Sequence, residues 1–199
     1  VLEESEEGAV SGIGVSIAGP ADPTTGVVYV APNIEGWEEY SPKEDLESRF
    51  SLGTVVVNDA NAAALAEHRF GAGRGHRNVV FVTISTGVGG GVIVDGELYA
   101  GAYGFAGEIG HTTVDMTGPE CTCGNVGCLE VMGSGTAMAR IAKQRLGGGA
   151  QSSLREMSED KLQRIDARMV MDAARQGDQV AKEVVGEVAT ALGFGMVNI

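Results

Sequence analysis

Basic residues are scarce: Lys and Arg total 14 against 27 Asp and Glu, a formal net charge of −13. That balance argues against a nucleic-acid partner, whose phosphates need Lys and Arg, and against an anionic membrane surface. No run approaches the roughly 18 apolar residues of a membrane span, and no secretory signal pattern is present. A reducing cytoplasm is therefore the expected setting. Cysteine is also sparse, with 3 in 199 residues, an odd number that cannot pair evenly into disulfides. Cys121 and Cys123 are moreover too close in sequence for an easy bridge. At this length, with 43% hydrophobic residues, the chain can bury one sizeable core or two modest lobes.

What cysteine there is stands in one place. Cys121-Thr-Cys123-Gly-Asn-Val-Gly-Cys128 follows shortly after Gly107-Glu108-Ile109-Gly110-His111. Three thiols and an imidazole so close together suit a tetrahedral zinc ion, and four protein ligands leave no open position for a reactive water. Such a site is structural. It predicts that His111, Cys121, Cys123 and Cys128 shape a loop whose polar residues, above all Glu108, His111 and Glu130, carry the function. His68, in an Ala-rich helix, and His76, in a Gly/Arg-rich connector, are weaker ligand candidates.

The remaining pattern is α/β. Residues 11–19 read as a buried strand stopped by Gly19-Pro20, residues 27–30 as a second, and residues 54–57 as a third that delivers Asn58-Asp59. Residues 42–50 read as a helix capped by Ser41 with Pro42 at its first position. Residues 60–70 form a further helix that Gly71 stops. The flexible Gly71-Ala-Gly-Arg-Gly75 marks a lobe boundary, so residues 1–72 and 73–199 are expected to form a smaller and a larger lobe. A strand over 78–85 runs into Thr86-Gly-Val-Gly-Gly-Gly91, and Asp95-Gly96 is a strong two-residue hairpin signal. Ser134, Asp166 and Asp178 are expected caps of helices over 134–146, 167–176 and 179–197. Val1 is not Met, residues 2–8 read as the tail of a helix, and residues 193–199 form an apolar helical run without a cap. Both ends read as cut.

Two polar segments join the metal loop as candidate chemistry. Thr86, Gly87, Val88, Gly89 and Gly90 follow a buried strand, and their backbone N–H groups can converge on one anion, glycine permitting positive φ and close approach. The segment is neither a Walker A loop, lacking Gly-Lys-Ser/Thr, nor a dinucleotide fingerprint, since no helix follows it. A plain Gly-rich hairpin is the alternative. Asp59, at the carboxyl edge of a strand, could accept a hydroxyl proton during phosphoryl transfer, or could simply cap the helix that follows. Glu108 and His111 share a face if their segment is helical. A metal joining His111 to the cysteines would bring Glu108 and Glu130 together, carboxylates and an imidazole edge of the kind polyol recognition uses. Solvent-facing acids in an acidic protein are the alternative reading of both glutamates.

Taken together, Gly-Ile-Gly-Val-Ser-Ile-Ala-Gly-Pro (12–20), Pro32-Asn33, Asn58-Asp59-Ala-Asn61-Ala-Ala-Ala-Leu-Ala-Glu67, Ser85-Thr-Gly-Val-Gly-Gly-Gly91, Gly107-Glu-Ile-Gly-His111 and Cys-x-Cys-Gly-x-x-Gly-Cys-Leu-Glu (121–130) resemble the ROK family of sugar kinases and sugar-responsive repressors. The resemblance implies an actin/hexokinase-like (ribonuclease H-like) two-lobed fold, truncated at both ends, with the sugar in the cleft. It implies Asp59 as the base on the sugar's primary hydroxyl, with Asn33, Asn58, Glu108, His111 and Glu130 on the other hydroxyls. Thr86 to Gly90 would lie at the nucleotide phosphates with ATP and magnesium, and His111, Cys121, Cys123 and Cys128 would hold zinc. Homodimers or homotetramers are implied as well.

The leading expectation is a hexose kinase that phosphorylates glucose at its 6-hydroxyl, as a glucokinase does. Kinases for N-acetylglucosamine, N-acetylmannosamine or fructose are alternatives. A further one is the sugar-sensing core of a repressor, whose DNA-binding helices would lie upstream. No Asp-x-Gly-Gly-Thr phosphate loop precedes Ser11, and neither a Gly-rich adenosine segment nor a final helix follows Ile199. The chain as written is thus expected to hold zinc and sugar but to be a poor kinase.

Overall fold

A computed structural model describes residues 10–31 and 34–199. Asn33 and the helix-tail reading of residues 2–8 therefore lie outside the described residues. The described residues up to Phe81, with Gly90–Gly107, form one compact unit, and Val82–Gly89 with Glu108–Ile199 form a second.

In the first unit, β1 (Ile13–Ile17) is followed by the short antiparallel pair β2 (Val28–Val30) and β3 (Glu38–Tyr40), then by α1 (Pro42–Phe50) and β4 (Thr54–Asn58). Ser41 caps α1 by accepting from the Glu44 N–H at 3.2 Å. Strand β4 lies parallel to β1, in register from Ile13 opposite Thr54 to Ile17 opposite Asn58. A parallel pair needs a long crossover, which the β2–β3 hairpin and α1 provide. Ile17, Ala21, Val28, Ala31 and Val56 make the core beneath it, with Val15 and Trp37 packed against them. Helix α2 (Asp59–Phe70) leaves the carboxyl end of β4 and stops at Gly71.

Strands β5 (Val79–Ile84), β6 (Val88–Val94) and β7 (Glu97–Leu98) form a sheet in that order. The β6–β7 turn is Asp95-Gly96, both at positive φ (54° and 90°), the two-residue hairpin that its sequence predicts. Residues between β5 and β6 form the glycine-rich turn.

In the second unit a single-turn 3₁₀ helix, Ile109–His111, precedes the cysteine loop and the short α3 (Leu129–Gly133). Helices α4 (Gly135–Gly147), α5 (Leu154–Met157), α6 (Ala167–Arg175) and α7 (Gln179–Val197) follow. The caps of α4, α6 and α7 are those the sequence predicts: the side chains of Ser134, Asp166 and Asp178 accept from the N–H groups of Ala137, Met169 and Ala181. Asn198, rather than an uncapped run, ends α7. Leu146, Leu154, Ile165, Val170, Ala181 and Val184 centre the helical core. A second cluster of Val88, Ile109 and Leu129 ties the glycine-rich turn, the 3₁₀ helix and α3 together. No helix among the described residues is long and apolar enough to cross a membrane.

Candidate functional site

The cysteine loop is built by its own backbone. The Gly124 N–H donates to the Cys121 carbonyl at 3.0 Å and the Cys121 N–H to the Asn125 carbonyl at 2.7 Å, with Gly124 at φ 88° closing the turn. The Leu129 N–H donates to the Thr112 carbonyl at 2.9 Å, which lays the end of the loop beside the 3₁₀ helix bearing His111. One ligand atom from each of His111, Cys121, Cys123 and Cys128 falls within 4.8 Å of every other. His111 Nδ1 stands 3.6 Å from Cys121 Sγ, and Cys123 Sγ 3.7 Å from Cys128 Sγ. A tetrahedron with metal–sulfur and metal–nitrogen bonds of zinc length has edges of about 3.8 Å between sulfurs and about 3.6 Å from sulfur to nitrogen. The donor set therefore fits a closed four-ligand ion. Burial pushes the Cys128 thiol up to about 12, and the neighbouring sulfurs add to the rise. The Asn125 N–H beside Cys123 lowers that thiol, and Cys121 and Cys128 add to the effect. A cation among these sulfurs is the physical means of holding all of them as thiolates.

The other ring nitrogen of His111, Nε2, lies 3.8 Å from Glu108 Oε2. Glu108 stands at the position before the 3₁₀ turn, without a side-chain cap bond, and the two side chains share a side as a helical spacing would predict.

Glu130 sits in the first turn of α3, directly after the buried Cys128 and Leu129. Its Oε2 accepts a hydrogen bond from the Val88 N–H at 3.1 Å. The cysteine loop and the glycine-rich turn thus meet at one carboxylate. The turn is gripped a second time by the start of α4. The Gly135 N–H donates to the Ser85 carbonyl at 2.8 Å, and Thr136 Oγ1 donates to the Thr86 carbonyl at 2.7 Å. Sequence reasoning missed Thr136, and its only signal was a hydroxyl in the first turn of a capped helix.

The turn is shorter than the expected Thr86 to Gly90, because β6 begins at Val88, and the positive φ expected of its glycines is not seen. None of Gly87, Gly89, Gly90 and Gly91 is at positive φ. What they provide is room. A Cβ on Gly87 would collide with Glu130 Oε2, and one on Gly91 would lie 2.6 Å from the Ala64 Cβ and 3.1 Å from the Ala60 carbonyl. The first close approach admits a carboxylate and the second admits helix α2.

In the first unit, Asn58 rather than Asp59 caps α2. Its Oδ1 accepts from the N–H groups of Ala60 at 2.9 Å and Asn61 at 3.2 Å, while its Nδ2 donates to the Gly19 carbonyl at 3.2 Å. Asp59 is left exposed at the carboxyl end of β4, and among the described residues its carboxylate accepts only from the Ala60 N–H at 2.9 Å. The same helix turn buries Asn61, whose Oδ1 has no hydrogen-bond partner among the described residues and faces Gly91. The two weaker histidines pair with each other, His68 Nε2 meeting the His76 carbonyl at 2.9 Å, and are not in the metal-ligand group.

Comparison with known proteins agrees with these motifs. A model of the ROK family matches residues 2–199. The glucokinase of Streptomyces coelicolor is 40% identical over 94% of this chain and 59% of its own length. The xylose repressor of Caldicellulosiruptor bescii is 33% identical over 96% of this chain and 47% of its own. The crystal structure of a ROK family glucokinase from Streptomyces griseus, in complex with glucose and AMPPNP, superposes with a TM-score of 0.83 at 39% identity, covering 98% of this chain and 62% of that one. The chain thus spans roughly half to three fifths of these relatives' lengths.

Proposed function

The chain belongs to the ROK family and has the actin/hexokinase-like α/β fold of its kinases, and from that premise we propose that it is the sugar- and phosphate-binding portion of an ATP-dependent hexose kinase acting on the 6-hydroxyl of glucose. The observation that carries an enzymatic reading is the state of Asp59. Because Asn58 takes over the cap, the Asp59 carboxylate is exposed at a strand's carboxyl end, where α/β proteins place working residues. There it accepts the proton of the attacking hydroxyl.

Glu108, His111 and Glu130 receive the other sugar hydroxyls, helped by Asn33 and by the second amide proton of Asn58 that Gly19 does not use. The turn Thr86 to Gly90 binds the phosphates, the Val88 N–H excepted because Glu130 already holds it. Magnesium, when bound with ATP, neutralises charge on the transferred phosphoryl group. Zinc held by His111, Cys121, Cys123 and Cys128 sets the loop from which Glu130 projects, and takes no part in the chemistry. Residues 1–72 and 73–199 are assigned to the smaller and larger lobes of the working enzyme.

An ATP-coupled assay of the full-length protein against hexoses and N-acetylhexosamines tests the reading. Turnover should be fastest with glucose. Asp59→Asn should lower kcat by roughly 10²–10⁴-fold, the range of general-base catalysis, with sugar affinity held within a few-fold. Normal turnover by that variant would remove Asp59 from the mechanism. The repressor match favours a second reading, a sugar sensor. It predicts no turnover with any sugar, but sugar-dependent release of DNA by the full-length protein.

A further inference from the structure

The glycine-rich turn is held from two directions inside the second unit. Its carbonyls at Ser85 and Thr86 are fixed by Gly135 and Thr136 at the start of α4. Its Val88 N–H is fixed by one oxygen of Glu130, 3.1 Å away. The other oxygen of that carboxylate has no hydrogen-bond partner among the described residues. Gly87 is bare because the carboxylate lies over it: an added Cβ would strike Oε2 and stand 3.2 Å from Cδ. Glu130 itself is anchored by the fully buried Leu129 on one side and by its own carbonyl, which accepts from the Ser134 N–H at 3.1 Å, on the other.

Resting on the reading that Glu130 receives a sugar hydroxyl, we propose that the same carboxylate positions the glycine-rich turn for nucleotide, so that sugar and nucleotide bind cooperatively through Glu130. A carboxylate bonded through one oxygen still rotates about its terminal torsion, and the turn it holds moves with it. A hydroxyl donating to the second oxygen removes that freedom, so the ordering cost of the turn is met before the phosphates arrive. The donated proton also draws negative charge away from a segment that must approach an anion. Coupling of this kind is reciprocal, each ligand tightening the other by one factor. Glu130 is thus a positioning residue for nucleotide in addition to its contact with sugar.

The test is calorimetry on the full-length protein with glucose and AMPPNP, each titrated with and without the other. In the unmodified protein, saturating glucose should tighten AMPPNP by roughly 5–20-fold, within the usual range of coupling between sites. Glu130→Ala should weaken AMPPNP by about fivefold even without sugar, and should bring the coupling factor to about one. Glu130→Gln keeps an oxygen that can accept from the Val88 N–H, and should restore sugar-free AMPPNP affinity to within about twofold. If Glu130→Ala weakens glucose but leaves AMPPNP affinity and coupling unchanged, the sugar reading stands and this inference is wrong. If the unmodified protein binds no hexose, the function proposed above fails and the coupling falls with it. Should Glu130→Ala not fold, hydrogen exchange of residues 84–90 in the unmodified protein decides: glucose should slow it, and unchanged exchange would overturn the proposal.

Discussion

Gly91 shows how much can depend on one missing side chain. The first turn of α2, with Asp59 at its head, packs directly on strand β6 at this point. A methyl at position 91 would lie 2.6 Å from the Ala64 Cβ and 3.0 Å from Asn61 Oδ1. Gly91→Ala should therefore cost about 1–3 kcal/mol, as overpacking of a close contact does, and denaturant unfolding would measure it. A cost within error would mean that α2 shifts freely, and that the helix does not fix the position of Asp59. The clustering of His111 with Cys121, Cys123 and Cys128, and the place of Asn58-Asp59, were legible in the sequence because the residues that define them are neighbours in the chain. That Asn58 caps and Asp59 does not was not legible, since both types cap helices well and only the backbone angle at the end of β4 chooses between them. That Glu130 lies over Gly87 was not legible for a related reason: composition shows that a side chain is absent, not what occupies its place.

Among the elements, α7 carries the clearest electrostatic signature. Asp178 caps it through the Ala181 N–H at 2.9 Å, and its other oxygen accepts from the Ser153 N–H at 2.7 Å and the Ser153 hydroxyl at 3.0 Å. Burial pushes this carboxyl up, but the N–H donors of Ala181 and Ser153 together outweigh it, and the net shift is below the usual carboxylate range. A folded-state pKa lowered in this way contributes stability above the unfolded value and loses it as pH falls through the folded one. Asp178→Ala should cost about 1–2 kcal/mol at pH 7, and the gap to the unmodified protein should narrow steadily below about pH 4. A gap independent of pH in urea unfolding would show that the charge contributes nothing. Helices α4, α6 and α7 could be read in advance because each pairs a capping side chain with apolar residues at helical spacing. The five-residue α3 and three-residue β3 could not, being too short for a periodic pattern and formed by contacts on either side.

For the whole molecule, the cysteine loop is the feature on which most else depends. Cys128 and Leu129 are completely buried, and α3, which they begin, presents Glu130 to the glycine-rich turn. Removing metal with a strong chelator, or replacing the ligand by Cys128→Ser, should lower the melting temperature, because binding energy of the ion is folding energy. Sugar affinity should fall with it. A metal-free protein with unchanged melting and sugar binding would refute a structural ion. The sequence by itself determined the capped helices, the Asp95-Gly96 hairpin and the family, and it marked the His111 and cysteine residues that the fold brings together, because each is written in side-chain chemistry within a few consecutive residues. Only the tertiary structure decided that β1 lies parallel to β4, that α2 touches β6 at Gly91, and that Glu130 reaches a backbone N–H 42 positions away. At least one side of each of those contacts is backbone. Every residue has the same backbone, so no sequence pattern marks which stretch of it a distant side chain will meet.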